Sequence, residues 1–174
     1  EIKKLIAEPF FDVGYSNESG LRELVQRAGS TMDQIELDVE RTIVDRFLRE
    51  VMQANPKATY GEVMIRSALD QGAVETLLIS EAVTKRRVKW ICKECKNTWK
   101  TSHDKSSAPP NCPQCGSDKA FEDEEDSMEL IDELTVLAGH TSAKVRIISL
   151  DTEEGATLNT AFGGIAALLR YAIS

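Results

Sequence analysis

The longest regular pattern of apolar positions lies between residues 31 and 54. Apolar side chains recur there at steps of four, at Ile35, Val39, Ile43, Phe47 and Val51. This spacing puts them on one face of a helix. Thr31 and Gln34 form a capping-box pattern at its start, and Asn55-Pro56 is expected to stop it after about Ala54.

The remaining segments alternate between helix and strand signals. A second capping-box pattern, Thr59 to Glu62, opens a helix that is expected to end at Gly72. Further helices are predicted over residues 20–28, ended by Gly29, and over 127–138 and 152–161. Strands are predicted over residues 10–15, 74–80, 87–91, 144–150 and 165–173. This alternation predicts an α/β fold, an α-β-α sandwich with a mixed sheet.

Four cysteines form two Cys-x-x-Cys knuckles separated by the sixteen residues 96–111. Two thiolates spaced in this way can bind one side of a tetrahedral metal ion, and a second knuckle closes the other side. The ligands would be Cys92, Cys95, Cys112 and Cys115. Four thiolates leave no open coordination position, so we predict a structural zinc site in a small inserted β minidomain of the zinc-ribbon type. The spacing does not exclude iron.

Charge changes the picture around this insertion. The net charge of the chain is −8, which argues against a general nucleic-acid coat. Residues 85–119 carry nine Lys or Arg against three acids, and residues 122–133 carry eight acids and no base. We interpret these as a solvated ribbon followed by a solvated acidic linker. A contact of the ribbon with RNA or an acidic partner is the alternative.

The sequence contains no pattern that assembles a catalytic site. Neither His103 nor His140 belongs to a recognisable nucleophile motif, and Gly163-Gly164 lacks the surroundings of a phosphate-binding loop. Apolar runs are too short for a membrane span. We therefore predict a cytoplasmic protein that is not an enzyme and has no membrane partner.

Three segments together resemble one family. Residues 12–21, DVGYSNESGL, are similar to the end of the middle domain of archaeal and eukaryotic class 1 peptide chain release factors and of their relative Pelota. Residues 68–79, ALDQGAVETLLI, resemble a helix-to-strand segment of their C-terminal domain. Residues 162–171, FGGIAALLRY, resemble its closing strand in the release-factor form. Because Pelota-type proteins lack a cysteine-bearing insertion, the chain is identified as a member of the archaeal release-factor subunit 1 group.

The resemblance implies a domain plan and a set of partners. Residues 1–29 would be a remnant of the middle domain, residues 30–87 and 122–174 the C-terminal sandwich, and residues 88–121 the zinc-ribbon insertion. In the family, full-length factors recognise stop codons and trigger peptidyl-tRNA hydrolysis. The C-terminal domain docks a translational GTPase of the elongation factor 1 alpha type, and later a recycling ABC-type ATPase, on the ribosome.

The resemblance also implies a docking surface. Its matched positions are Arg46, Phe47, Val51, Phe162, Gly163, Gly164 and Arg170. Alternatively, Phe47 is simple core, and Arg46 pairs with Glu50 on the same helix. Two other functions stay open at this point: a Pelota-like ribosome-rescue factor, and an RNA-binding sandwich like that of kink-turn-binding ribosomal proteins.

Overall fold

The computed structural model describes residues 12, 14 and 17–173. Its elements, in chain order, are α1 (Glu18–Val51), β1 (Ala58–Tyr60), α2 (Glu62–Asp70), β2 (Val74–Ser80), β3 (Arg86–Cys92), β4 (Thr98–His103), β5 (Ala120–Glu129), α3 (Leu130–His140), β6 (Lys144–Ile148), α4 (Glu153–Phe162) and β7 (Ile165–Leu169). The strand predicted over residues 10–15 lies mostly outside the described residues.

Helix α1 is one continuous helix of 34 residues. It begins at Glu18 after the N-cap Asn17, whose side chain accepts hydrogen bonds from the backbone N–H groups of Ser19 and Gly20. The predicted break at Gly29 and the predicted capping box at Thr31 and Gln34 are wrong. A glycine inside a helix costs only about 1 kcal/mol relative to alanine, which the backbone hydrogen bonds on either side can outweigh.

The main sheet has four strands in the order β1-β7-β2-β6. Strand β7 runs antiparallel to both β1 and β2, whereas β6 runs parallel to β2. The sheet is therefore mixed, and the predicted α/β class is confirmed. Strand β1 was not predicted, because three residues are too short to show a period.

The main sheet carries an apolar cluster on each face. On one face, α2 and α3 pack Ile65 and Leu134 over strand residues such as Leu77. On the other face, α1 and α4 pack Phe47 and Leu158 over Leu78. Successive residues of β2 thus enter opposite clusters, as the two-residue period of a strand requires.

A second, separate sheet has three antiparallel strands in the order β4-β3-β5. Residues 122–129 lie in β5, so the acidic stretch is not a linker as predicted. Glu122, Asp123, Met128 and Glu129 pair with β3, and the bulge between them leaves Glu124, Glu125 and Asp126 exposed to solvent. The physical reason is charge: Arg86 contacts Glu122, and Lys89 contacts Asp123 and Asp126. Helix α3 accordingly begins at Leu130, three residues later than predicted.

Two further boundaries differ from prediction. Thr59 lies in β1, and Gly61 is the N-cap of α2 without a side-chain hydrogen bond, so the second capping box is wrong. The closing strand ends at Leu169. Within the described residues, none of the helices combines the length and the apolar character that a bilayer crossing requires.

Candidate metal centre and candidate docking surface

The two cysteine knuckles have the same backbone arrangement. The N–H of Cys92 donates to the carbonyl of Asn97, and the N–H of Cys112 donates to that of Ser117. Each turn then closes with a bond back to the first cysteine, from Lys96 in one knuckle and Gly116 in the other. Both closing residues have positive φ, 60° at Lys96 and 74° at Gly116.

Backbone dipoles in these turns favour thiolates. The N–H of Cys95, with that of Glu94, lowers the pKa of the Cys92 thiol against the opposing effect of burial. Burial raises the pKa of the Cys112 thiol, but the N–H groups of Cys115 and Gln114 outweigh it and bring the pKa to about 6. Because a metal ion binds the thiolate form, this arrangement prepares the sulfurs of Cys92 and Cys112 to act as ligands. In Cys95 and Cys115 a backbone N–H lowers the pKa, but burial and the neighbouring sulfurs outweigh it and the pKa is raised.

The four sulfur atoms form one cluster. The Sγ atoms of Cys92 and Cys115 are 3.6 Å apart, as are those of Cys95 and Cys112, and all four lie within 4.8 Å of one another. Tetrahedral bonds of about 2.3 Å to one ion would separate the sulfurs by about 3.8 Å. The donor set and its dimensions therefore fit one four-coordinate metal ion.

The second sheet positions this cluster at one of its ends. Strand β3 ends at Cys92, which pairs with Ala120 at the start of β5. The N–H of Lys93 donates to the carbonyl of Lys119, which ties the first knuckle to the segment that follows the second. The spacing of the cysteines predicted their cluster, and the pairing of β3 with β5 brings the two knuckles together.

The opposite end of the second sheet meets the main sandwich through a network of charged and polar groups. Arg66 on α2 donates to Glu62 and to Glu133 on α3, at 2.8 and 2.5 Å. Ser102 on β4 donates to Glu62 at 2.5 Å, and Arg87 on β3 lies 3.6 Å from the same carboxylate. These charged side chains are about one-fifth exposed. The network was not foreseen, because its members lie far apart in sequence.

Three of the predicted docking residues lie together around the end of α4. The rings of Phe47 and Phe162 meet edge to face with centroids 5.0 Å apart, and Tyr60 contacts Phe162 at the same distance. Phe47 is completely buried, which is the core alternative given above, while Phe162 and Val51 are half-buried at the margin of the same cluster.

The two glycines after Phe162 have different surroundings. Gly163 is exposed, has φ of 70° and ends α4, and a Cβ there would meet nothing within 4 Å. Gly164 is buried with φ of 76°, and a Cβ there would approach Val83 Cγ2 to 2.8 Å. Gly164 is thus required by packing, whereas Gly163 leaves open surface beside Phe162.

The two predicted arginines lie at the other end of the main sheet. Arg46 makes a two-pronged contact with Glu75 at the start of β2, with both distances 2.8 Å, and does not use the foreseen partner Glu50 for its hydrogen bonds. Arg170 follows β7, so the whole strand separates it from Gly164. Its guanidinium donates to the backbone carbonyls of Gly72, Thr141 and Ser142, which follow α2 and α3.

The fold and the cysteine cluster define an α/β domain with an appended four-cysteine sheet. A model of the family described as eRF1 domain 3 matches residues 37–173, which include both sheets. The chain belongs to this family.

Relatives and solved structures agree with that assignment. The chain is similar to peptide chain release factor subunit 1 of Methanococcoides burtonii, with 39% identity over 98% of the chain and 42% of the relative. It therefore spans about two-fifths of the curated relatives' length. A solved C-terminal domain of a peptide chain release factor from Methanosarcina mazei shares 38% identity, with a TM-score of 0.74 over 91% of this chain and 98% of that one.

A more distant likeness concerns the fold alone. A chain from a structure described as a model of ribosome-bound archaeal Pelota and ABCE1 shares 19% identity, with a TM-score of 0.56. It is matched over 94% of this chain and 35% of that one. Pelota-type and release-factor chains thus share this architecture.

Proposed function

We propose that this chain is the C-terminal part of a translation termination factor. The observation that carries the proposal is the family match, which extends across the main sandwich and the second sheet alike. In this function the domain docks other factors on the ribosome. Its partners are a translational GTPase of the elongation factor 1 alpha type and a recycling ABC-type ATPase.

Stop-codon recognition and peptidyl-tRNA hydrolysis would belong to the full-length factor. The family carries out hydrolysis with a Gly-Gly-Gln loop, and the chain contains no such tripeptide. The proposed domain division is the one implied by the resemblance: residues 1–29 from the preceding domain, 30–87 with 122–174 as the sandwich, and 88–121 as the insertion. The first boundary falls inside α1, so the two domains would share one rigid helix.

The cysteine cluster is proposed to bind one structural Zn²⁺ ion, which makes the second sheet a zinc ribbon. Four thiolates saturate a tetrahedral ion, so the ion would supply cross-linking and no open position for a reaction. Metal analysis of the purified chain should find one equivalent of zinc. Iron in its place would correct the identity of the ion, and a metal-free protein with ordered knuckles would refute the site.

The GTPase is proposed to dock over Phe162 and the adjoining exposed Gly163, beside Val51 on α1. A half-buried aromatic ring beside open backbone is the kind of anchor found at interface centres. Phe162→Ala should weaken GTPase binding by about 1–3 kcal/mol. Since Phe162 also contacts Phe47 and Tyr60, this variant will lose some stability as well, and a second variant is needed.

Gly163→Asn provides that second variant. Asparagine tolerates positive φ, and open space surrounds the position, so stability should change little. The added side chain would nevertheless obstruct a docked partner. Gly116→Asn, with its metal content verified, is the matched control, because Gly116 has φ of 74°, equally open surroundings and a place in the second knuckle, away from every residue of the proposed surface.

Binding of each variant to an archaeal GTPase of this type is measured by calorimetry. Weaker binding by Gly163→Asn alone would support the surface. Equal affinities for both glycine variants would refute it.

Arg46 and Arg170 are also part of the proposed surface. Their present contacts differ, so their substitution is expected to have different effects on affinity and stability. Arg46 is half-exposed and could exchange Glu75 for a partner's carboxylate. Arg170 is already satisfied by three carbonyls, so its contribution would come through holding the ends of α2 and α3. Arg46→Ala should therefore reduce affinity with little effect on stability, whereas Arg170→Ala should reduce stability and affinity together. Arg146→Ala, an exposed site on β6, is the control for charge alone.

A further inference from the structure

A small hollow lies between the main sandwich and the second sheet, directly beside Gly163. Its volume is about 140 Å³. The buried Val83 and the half-buried Asn159 of α4 line it together with the exposed Lys85, Asp104 and Gly163. A partner that docks over Gly163 therefore also covers this hollow.

The backbone around the hollow is held in place by short-range contacts. The N–H of Ser80 donates to the carbonyl of Gly164 at 2.7 Å, and the N–H of Val83 donates to the carbonyl of Ser80. The absence of a side chain at Gly164 allows this approach, because a Cβ there would lie 2.8 Å from Val83 and 3.1 Å from Oδ1 of Asn159. The end of α4 and the segment after β2 thus form one packed unit below the hollow.

Strand pairing places two opposite charges at this hollow. Arg86 at the start of β3 is paired with His103 at the end of β4. Lys85 and Asp104 are therefore the next facing positions, one in the sandwich and one in the insertion. The ion pairs nearby are made by Arg86 and Lys105. Among the described residues, neither Lys85 nor Asp104 has an ion-pair partner.

These two charges restrict the chemistry of a group that would fill the hollow. A cation would be attracted by Asp104 and repelled by Lys85, and an anion would meet the opposite combination. An uncharged amide can accept a hydrogen bond from the Lys85 ammonium group and donate one to the Asp104 carboxylate. The volume is several times the ~30 Å³ that one water molecule occupies in the liquid, so the end of a side chain fits.

We propose, on the basis of the docking function given above, that the GTPase inserts an asparagine or glutamine side chain into this hollow. Lys85 and Asp104 bind the inserted amide from its two sides. Because Asp104 belongs to the second sheet, the insertion becomes part of the docking surface. Hydrogen bonds to charged groups are stronger than those between neutral groups, so these two residues contribute to the choice of partner.

Alanine substitution of the two charged residues tests the inserted group. Lys85→Ala and Asp104→Ala should each weaken GTPase binding about three- to tenfold, because each removes one hydrogen bond to the same amide. Both side chains are exposed, and the backbone carbonyls of both residues keep their hydrogen bonds, so the fold should be unchanged. Lys100→Ala and Asp118→Ala are the matched controls, since both are exposed charged residues of the insertion that do not line the hollow.

The signs of the two effects distinguish an amide from a charged group. If Lys85→Ala tightened binding and Asp104→Ala weakened it, the inserted group would be a cation, and the reverse pattern would indicate an anion. Either pattern, or unchanged affinity in both variants, would overturn the proposal. In the double variant, the loss of binding free energy should be smaller than the sum of the two single losses, because one amide makes both bonds.

The Gly163→Asn variant separates this inference from the docking function itself. Calorimetry with the same archaeal GTPase measures all variants under one set of conditions. Weaker binding by Gly163→Asn, with wild-type affinity in both alanine variants, would leave the docking function in place and remove the hollow from it. Wild-type affinity in all three variants would refute both.

Discussion

The two sheets of this molecule are held together by different means. The main sheet has a helical layer on each face, and its clusters bury whole side chains such as Leu77, Leu78 and Leu134. Between Arg86 and Glu129, the buried residues of apolar type are only Val88, Trp90, Cys92 and Cys112. A region with so little apolar burial cannot offset the conformational entropy of ordering its chain.

Ion pairs do not make up that difference. The second sheet has several exposed pairs, including those of Lys105 with Glu129 and of Lys119 with Glu94. Exposed pairs of this kind each contribute about 0–1 kcal/mol. The comparison indicates that the sandwich is stable through apolar packing. We therefore expect the second sheet to depend on the metal ion that we propose for the four cysteines.

The largest change in stability is expected when one of the four cysteines is replaced or the proposed metal ion is removed. Cys112→Ser, or a strong chelator, should unfold the second sheet, because binding of structural zinc contributes on the order of 10 kcal/mol in small domains. Amide hydrogen exchange should accelerate in β3 and β5 and stay slow in β2 and β7. Uniform unfolding of both sheets, or none, would contradict the division.

The converse experiment weakens the sandwich. Leu134→Ala should cost about 2–5 kcal/mol of unfolding free energy, because Leu134 is completely buried between α3 and the main sheet. Val136→Ala on the same helix is the control, since Val136 is 57% exposed. Denaturant titration provides the free energies. The stoichiometry of bound metal should be unchanged, and its loss in the native Leu134→Ala protein would show that the two regions are not independent.

A smaller change in stability is expected for the charged network between the sandwich and the second sheet. Glu62→Gln should cost about 1–3 kcal/mol, because Arg66 and Arg87 would lose a charged partner in a poorly hydrated site. Glu18→Gln, which affects an exposed pair, should change stability by less than about 0.5 kcal/mol. Thermal denaturation measures both changes.

The Glu62 carboxylate also predicts how the stability of the protein changes with pH. Burial raises the pKa of Glu62, but hydrogen bonds from Ser102 and Arg66 outweigh it, and the pKa lies below its ordinary value of 4.5. Its stabilising contribution is therefore present at neutral pH and is lost as pH falls below 4.5 and through the lowered pKa. Between neutral pH and pH 4, Glu62→Gln should lose less stability than the wild type. Parallel pH profiles would argue against an ionised Glu62.

The smallest expected change in stability concerns the turns of the two cysteine knuckles. Lys96 adopts φ of 60°, a conformation that Gly116 provides in the other knuckle without steric cost. Lys96→Gly should therefore stabilise the metal-bound second sheet by up to about 1 kcal/mol, and Gly116→Ala should destabilise it by a similar amount. Competition with a chelator measures both as changes in metal affinity. A shift of both variants in the same direction would contradict the equivalence of the turns.

Local patterns predicted several features directly. The strand predicted over residues 74–80 has the bounds of β2. The helix predicted over 152–161 corresponds to α4, whose N-cap Thr152 accepts a hydrogen bond from the N–H of Gly155. The cysteine spacing likewise led to the cluster of four thiols. These features succeed because each depends on residues a few positions apart, where chain geometry alone sets the outcome.

The failures involve competition between local and distant interactions. Gly29 is a good helix terminator, but nothing after it offers the backbone a better set of hydrogen bonds than continuing α1. Residues 122–126 are acidic enough for a linker, but ion pairs with Arg86 and Lys89 hold Glu122 and Asp123 in a strand. A sequence pattern does not show which distant segments will be near in space. It therefore does not decide whether α1 continues past Gly29 or whether the acidic residues pair with β3.

The sequence by itself determined the α/β class, the alternation of elements in the sandwich, and the four cysteines of the cluster with their spacing. Tertiary structure alone decided that β7 lies between β1 and β2, that Phe47 is buried while Phe162 reaches the surface, and that Arg170 caps two helix ends. It also decided that Glu62 of the sandwich meets Ser102 and Arg87 of the second sheet. The physical reason is that periodicity and turn chemistry act within a few residues, whereas burial and charge pairing are settled only once distant segments are packed together.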